Sequence, residues 1–166
     1  MLVSMIFLAG LSYQQPRIIY LEGGVWGQPI QIAQGEKVIL VGHSAGAHAA
    51  AFYALDPCNA DRLERVVLMS GVYRVSMGVR LFTLTRHSDP RRFFRGVSKR
   101  EASPLFNIPP ASPNSPKFEI YYATLDLPGL KLQARQFYQA LLEHGYCATL
   151  CEVRTTHRNI PYRLGY

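Results

Sequence analysis

The strongest chemical signal in the sequence is Gly42-His43-Ser44-Ala45-Gly46. It follows a short apolar run, Val38 to Val41, and precedes an alanine-rich stretch of about ten residues with helical character, so the G-x-S-x-G pattern stands in a strand, turn and helix context. The spacing has a physical reason. A serine raised above a sheet for attack sits on a tight, strained turn, and glycines on both sides let strand and helix approach without a clash of Cβ atoms. The same five residues also suit an ordinary glycine-rich turn, so the rest of the chain has to supply the partners that a nucleophile needs.

A serine hydroxyl is a weak nucleophile near neutral pH. It requires a histidine base and a carboxylate that fixes the imidazole tautomer. Behind an elbow of this kind the acid and then the histidine follow in chain order, at the carboxyl ends of later strands. Asp126 fits the acid, because it comes after the run Phe118 to Ala123 and before a helical pattern. His157 fits the base, following the last strand-like run within Arg154-Thr-Thr-His-Arg158. The competing carboxylates fit less well: Asp89 falls in a basic stretch, Glu119 lies inside a strand and would point away from the elbow, and Asp56 and Asp61 read as helix-end and loop residues. Among the other histidines, His43 and His48 flank the elbow, His87 lies in the basic stretch, and His144 ends a helix, where it meets the dipole favourably.

An attacked carbonyl also needs donors for the developing oxyanion. One is the amide of Ala45, the residue after the nucleophile. The second is expected from Gly23 and Gly24, whose amides no side chain hinders, although the pair also suits a plain turn leaving a strand. Trp26 and His43, beside these donors, are the expected substrate contacts.

Five runs read as the strands that position these residues. Arg17 to Leu21, Lys37 to Val41, Arg65 to Met69 and Phe118 to Ala123 are short, apolar and β-branched or aromatic, as buried parallel strands are, and Ala148 to Val153 makes a fifth. Pro128 opens a stretch in which Leu130, Ala134, Phe137, Tyr138, Leu141 and Leu142 recur at helical spacing, with Gly145 at the place of a C-terminal cap. Residues 72 to 117 form an excursion, basic at first and then carrying five of the 11 prolines between Pro104 and Pro116. The expected domain runs from 17 to 160, with an apolar segment at 1 to 16 and a tail at 161 to 166.

Composition narrows the class further. With 166 residues, 48% of them hydrophobic and 17% charged, the chain is sized for one folded domain and is not a disordered or low-complexity sequence. No apolar run approaches the roughly 18 residues of a membrane span. The segment Met1 to Leu11 has the length of a signal-peptide core but no basic start and no A-x-A site, so it reads better as a cover for a sheet edge. Cys58, Cys147 and Cys151 are odd in number and lack C-x-x-C spacing, which suggests neither zinc nor a disulfide framework and suits a cytoplasmic location, with secretion as the alternative. The net charge is +7, and Arg86, Arg91, Arg92, Arg95, Lys99 and Arg100 crowd into one stretch. That stretch reads as a solvated loop and not as a nucleic-acid site, since Phe93 and Phe94 are its only interleaved aromatics.

Taken together, Gly23-Gly24-Val25-Trp26, Gly42-His-Ser-Ala-Gly-Ala-His48, Met69-Ser-Gly-Val-Tyr73, Ala102-Ser-Pro104, Asp126 with Gln133, and His157 make the chain similar to a known family over residues 17 to 160. It resembles the α/β-hydrolases of the H-G-G-x-W type, which include kynurenine formamidases (arylformamidases) and related carboxylesterases. The resemblance implies a three-layer α/β-hydrolase-like fold with a reduced, mainly parallel sheet of about five strands. It also implies a serine hydrolase using Ser44, Asp126 and His157, with the Gly24 and Ala45 amides as oxyanion hole, a small-molecule ester or amide as substrate, and no metal or organic cofactor. Two departures stand out. Glu22 occupies the position of the family's histidine, and only the 15 residues from Glu22 to Glu36 join the first two strands, where the family inserts a helix, a strand and another helix. A direct parallel crossover needs about 10 to 12 residues, so a five-stranded sheet is feasible. It would leave Arg17 to Leu21 as an edge open to self-association. The competing reading is a non-catalytic or truncated protein of the same fold that binds a small molecule or a protein partner.

Overall fold

In the computed structural model, which describes residues 16–24, 26, 29–75 and 94–166, the strands lie side by side in chain order. They are β1 (Arg17–Leu21), β2 (Val38–His43), β3 (Leu63–Met69), β4 (Lys117–Leu125) and β5 (Ala148–Thr156), and every neighbouring pair is parallel. This is the expected α/β-hydrolase fold with its reduced sheet of five strands. Because the order never reverses, right-handed crossovers all pass over the same face. The two long helices among the described residues, α1 (Ala45–Leu55) and α2 (Leu130–Glu143), accordingly share one core with Leu40, Val66, Leu68, Phe118 and Ile120.

The two helices meet the sheet differently. In α1 the buried residues Ala47, Ala50, Ala51 and Ala54 are small, so the helix axis can come close to β2 and β3. In α2 a stripe of Leu130, Ala134, Phe137 and Leu141 is buried at helical spacing, as the sequence pattern predicts. The helix starts two residues later than Pro128 because Gly129, its N-cap, has a left-handed φ of 85°. It ends on Gly145, φ 86°, where the Gly145 amide donates to Leu142 C=O and the Tyr146 amide to Leu141 C=O, each at 3.0 Å. That pair of bonds is a Schellman cap.

The opposite face, formed by Ile39, Val41, Val67, Met69 and Ala123, is covered by Ile160, Leu164 and Tyr166. These residues belong to the single turn α3 (Ile160–Arg163) and the chain just after it. The expected tail at 161 to 166 is therefore part of the fold, because fully buried Ile160 and the helix-starting Pro161 pull it onto the sheet.

The short crossover from β1 to β2 is held by charge and by burial. Glu36 receives the Nε and Nη2 of Arg17 at 2.6 and 2.9 Å and the Ala33 amide at 3.3 Å, while Ile30 and Ile32 pack on the core. Among the described residues β1 is the last strand on its side of the order, with Ile18 52% and Tyr20 38% exposed. The readings of Met1 to Leu11 as an edge cover or as a signal peptide lie outside the described residues.

Residues 76–93 of the excursion, with His87, Asp89, Arg86, Arg91, Arg92 and Phe93, also lie outside the described residues. Its two ends are tied at one place. The Leu105 amide donates to Tyr73 C=O at 3.0 Å, the Val75 amide to Ser103 Oγ at 2.8 Å, and the Tyr73 and Arg74 amides to Gln133 Oε1 at 2.9 and 2.8 Å. The Tyr73 ring stacks on Phe137 with centroids 4.3 Å apart. Arg95, Lys99 and Arg100 are exposed on the returning limb. Among the described residues no helix is long and apolar enough to cross a membrane.

Candidate active site

The turn after β2 shows why the elbow carries two glycines. A Cβ on Gly42 would stand 2.5 Å from the Gly46 carbonyl oxygen, and a Cβ on Gly46 would collide with the carbonyl of Leu21 and lie 2.8 Å from that of Glu22. Strand, helix and the end of β1 are thus in backbone contact around Ser44. Ser44 itself has φ 54° and ψ −113°, a conformation that costs a residue with a side chain about 1 to 3 kcal/mol. Its amide donates to Met69 C=O at 2.9 Å, and its carbonyl accepts the His48 amide at 3.2 Å, which starts α1.

Ser44, His157 and Asp126, expected to act together, lie in one hydrogen-bonded row. Ser44 Oγ is 3.1 Å from His157 Nε2, and His157 Nδ1 is 2.7 Å from Asp126 Oδ1. If Nδ1 carries the hydrogen and donates to the carboxylate, Nε2 is the lone pair that faces the serine. The row spans the sheet. Ser44 follows β2, Asp126 follows β4, and His157 follows β5, with its amide on Leu125 C=O at 3.2 Å.

The Asp126 side chain is fully buried and accepts four hydrogen bonds. Oδ1 takes the Leu127 amide at 2.8 Å in addition to His157, while Oδ2 takes Ser70 Oγ at 2.6 Å and the Ala123 amide at 3.1 Å. Burial pushes this carboxyl upward, but the bonds from His157, Ser70 and the two amides outweigh it and hold the pKa below the ordinary aspartate value. Ser70 was not among the expected site residues. The available signal was a serine next to a glycine at a strand end, which has no periodicity to mark it.

His43, expected as a substrate contact, has a second attachment in the structure: its Nε2 donates to the His157 carbonyl at 2.8 Å, and the two rings lie 4.9 Å apart. Burial, and then the neighbouring His157, lower its pKa to about 4, so the ring is neutral near pH 7. Gly23 presses on that ring, since a Cβ there would lie 2.7 Å from His43 Nδ1 and 3.2 Å from Ser44 Cβ. Gly24 has φ 82° and Ala45 is buried at the start of α1. Both expected sources of oxyanion donors therefore flank Ser44. Glu22, which replaces the resembled family's histidine, is exposed.

Trp26 packs edge-on against His48 and Phe94, at 4.9 and 5.3 Å between centroids. His48 is one turn along α1 from the serine. Its Nδ1 donates to Val72 C=O at 2.8 Å, and burial lowers its pKa to about 4. Three of the less fitting candidates have partners away from Ser44. Glu119 pairs with Arg65 at 3.1 Å on the neighbouring strand, Asp56 accepts the Cys58 amide at 2.9 Å, and His144 ends α2 with Nδ1 on Ala140 C=O at 2.8 Å. Among the described residues no group of histidines, cysteines and carboxylates has the arrangement of a metal site, and Cys58, Cys147 and Cys151 are free thiols on the surface.

A parallel sheet with a strained serine elbow after one strand, and a carboxylate and a histidine after two later ones, is an arrangement that a family of folds shares. The chain belongs to the alpha/beta hydrolase family, which it matches over residues 11–161. Among solved structures it is similar to esterase 2 of the planctomycete Thermogutta terrifontis. The butyrate-bound form aligns at 20% identity with a TM-score of 0.53, covering 74% of this chain and 48% of the esterase. The apo form (TM-score 0.55, 20% identity, 74% and 46%) and the form phosphonylated by sarin (0.55, 20%, 74% and 48%) align equally well. This chain thus spans about half the length of those esterases. No curated protein matches its sequence.

Proposed function

We propose that the protein is a cofactor-independent serine hydrolase of small carboxylic esters or aryl formamides, of the kynurenine formamidase and carboxylesterase kind. The observation that carries this reading is the row from Ser44 Oγ through His157 to Asp126, with separations of 3.1 and 2.7 Å. Ser44 Oγ attacks the carbonyl carbon while His157 Nε2 takes its proton. The amides of Ala45 and of the Gly23-Gly24 turn receive the developing oxyanion. His157 then returns the proton to the departing alkoxide or amine, leaving an acyl group (formyl for a formamide) on Ser44. Water, deprotonated by the same imidazole, attacks that ester and releases the acid and free Ser44. Asp126 stays ionised throughout, orienting Nδ1 and balancing the imidazolium.

Trp26 and His43 are assigned to the substrate side of the site. Three exposed thiols suit a reducing compartment such as the cytoplasm. The butyrate bound to the similar esterase supports a short acyl ester as the first compound to test. Turnover of aryl acetates, aryl butyrates and N-formyl anilines should fall about 10⁴- to 10⁶-fold in Ser44→Ala. Equal turnover by the variant would end this reading. A second reading, a binding protein of the same fold without activity, is favoured by Glu22 in place of the resembled family's histidine and by the short join of 15 residues from Glu22 to Glu36; wild-type protein that turns over none of these compounds would support it.

A further inference from the structure

Ser70, the residue after β3, has two features that a mere connecting residue would lack. Its φ is 48°, in the left-handed region where glycine is comfortable and serine is strained. Its side chain is completely buried, and its hydroxyl donates to Asp126 Oδ2 at 2.6 Å. The Ser70 amide donates to Tyr121 C=O at 2.8 Å, on β4, the strand that leads to Asp126. Both bonds therefore fasten β3 to the acid's own strand and loop. The two amides on Asp126 come from its near neighbours Ala123 and Leu127, so Ser70 and His157 are the two grips from elsewhere in the fold, one on each carboxylate oxygen.

We propose that Ser70 is a positioning residue whose hydroxyl fixes the Asp126 carboxylate with Oδ1 toward His157 and draws charge onto Oδ2. This deepens the serine hydrolase reading and rests on it. A hydrogen bond to one oxygen spreads the carboxylate charge, so the other oxygen holds the imidazolium less strongly. Without the Ser70 hydroxyl, more of the carboxylate charge would face His157 Nδ1. The titratable groups facing this carboxylate are His157 after β5, His43 at the end of β2, and the Tyr73 phenol after β3. Tyr73 is kept protonated by burial and by the Asp126 charge.

Ser70→Ala and Ser70→Gly separate the hydroxyl from the turn, since glycine suits the backbone at φ 48° and alanine does not. Two readouts are needed: the pH dependence of Ser44 labelling by a fluorophosphonate, and the titration of the His157 ring followed by NMR. Both variants should label about 10- to 100-fold more slowly than wild type at neutral pH. Their labelling midpoints and their His157 titrations should move to higher pH together. Ser70→Gly with wild-type rate and midpoint would overturn the assignment. If wild-type Ser44 resists labelling, the serine hydrolase reading fails, but the ring titration still decides the role of Ser70. An upward shift in Ser70→Gly supports that role, and an unmoved titration overturns it.

Discussion

The Leu21 carbonyl occupies the space that a Cβ on Gly46 would need. The end of β1 is thereby locked to the first turn of α1, and the Gly23-Gly24 turn is set beside Ser44 by backbone contact alone. Gly46→Ala has to push β1 and its turn away, with no flexible side chain to absorb the clash. It should lose about 1 to 3 kcal/mol in urea unfolding and nearly all activity. Gly24→Ala meets no atom within 4 Å and bears only the strain of φ 82°, so it should be the milder change. Wild-type stability in Gly46→Ala would contradict the packing described.

Asp126→Asn keeps the shape of the acid but replaces an acceptor of His157 Nδ1–H by a group that can present its own N–H. The wrong imidazole tautomer then faces Ser44, and kcat should fall about 10⁴-fold. His43→Gln should cost far less, because its bond is to the His157 backbone and not to the reacting row. The ratio of the two losses, measured on one aryl ester, checks the division of roles. A mild Asp126→Asn effect beside a severe one at another carboxylate would move the acid elsewhere.

The strands and the elbow turn were legible because each is marked locally, and the chain order of an acid and then a histidine after later strands singled out Asp126 and His157, which lie in one hydrogen-bonded row with Ser44. Buried parallel strands are continuous apolar runs, and the elbow's glycines are required by contacts at Gly42 and Gly46 that no other residue type permits. What the sequence did not reveal depends on contacts between distant segments. Ser70 reaches Asp126 across 56 positions, and His43 reaches the His157 carbonyl across 114. Neither has a spacing rule that would mark it in advance. The final residues read as a tail because four residues of helix are too few to show a period, yet Ile160 lies wholly in the core beneath them.

Acid should destabilise the fold before it protonates Asp126. His43 and His48 are held near pKa 4 in the folded protein and return to 6.5 on unfolding. Between those values the unfolded chain binds more protons, so stability falls as pH drops from about 6.5 toward 4. Asp126, with its lowered pKa, contributes stability above its unfolded value, which is lost as pH falls further, through the folded one. Urea midpoints between pH 7 and 4.5 should decline, and His48→Gln, which keeps a donor but cannot charge, should flatten part of the slope. An unchanged midpoint over that range would refute this account of the two histidines.

β1 pairs with β2 alone among the described residues and exposes Ile18 and Tyr20. An apolar edge of this kind favours pairing with a second chain. Sedimentation velocity over a range of concentrations should show self-association that Ile18→Lys reduces while the unfolding midpoint stays close to wild type. Association that is indifferent to Ile18→Lys would place the contact elsewhere.

The most direct test of the whole account is the site at which an organophosphonate attaches. The similar esterase is phosphonylated by sarin, and the geometry here places one hydroxyl, Ser44 Oγ, 3.1 Å from the His157 ring. Wild-type protein treated with a fluorophosphonate and mapped by peptide mass spectrometry should carry a single adduct on Ser44. That adduct should be absent in Ser44→Ala and much slower to form in His157→Ala. No adduct on Ser44, or equal labelling of Ser44→Ala, would contradict the account.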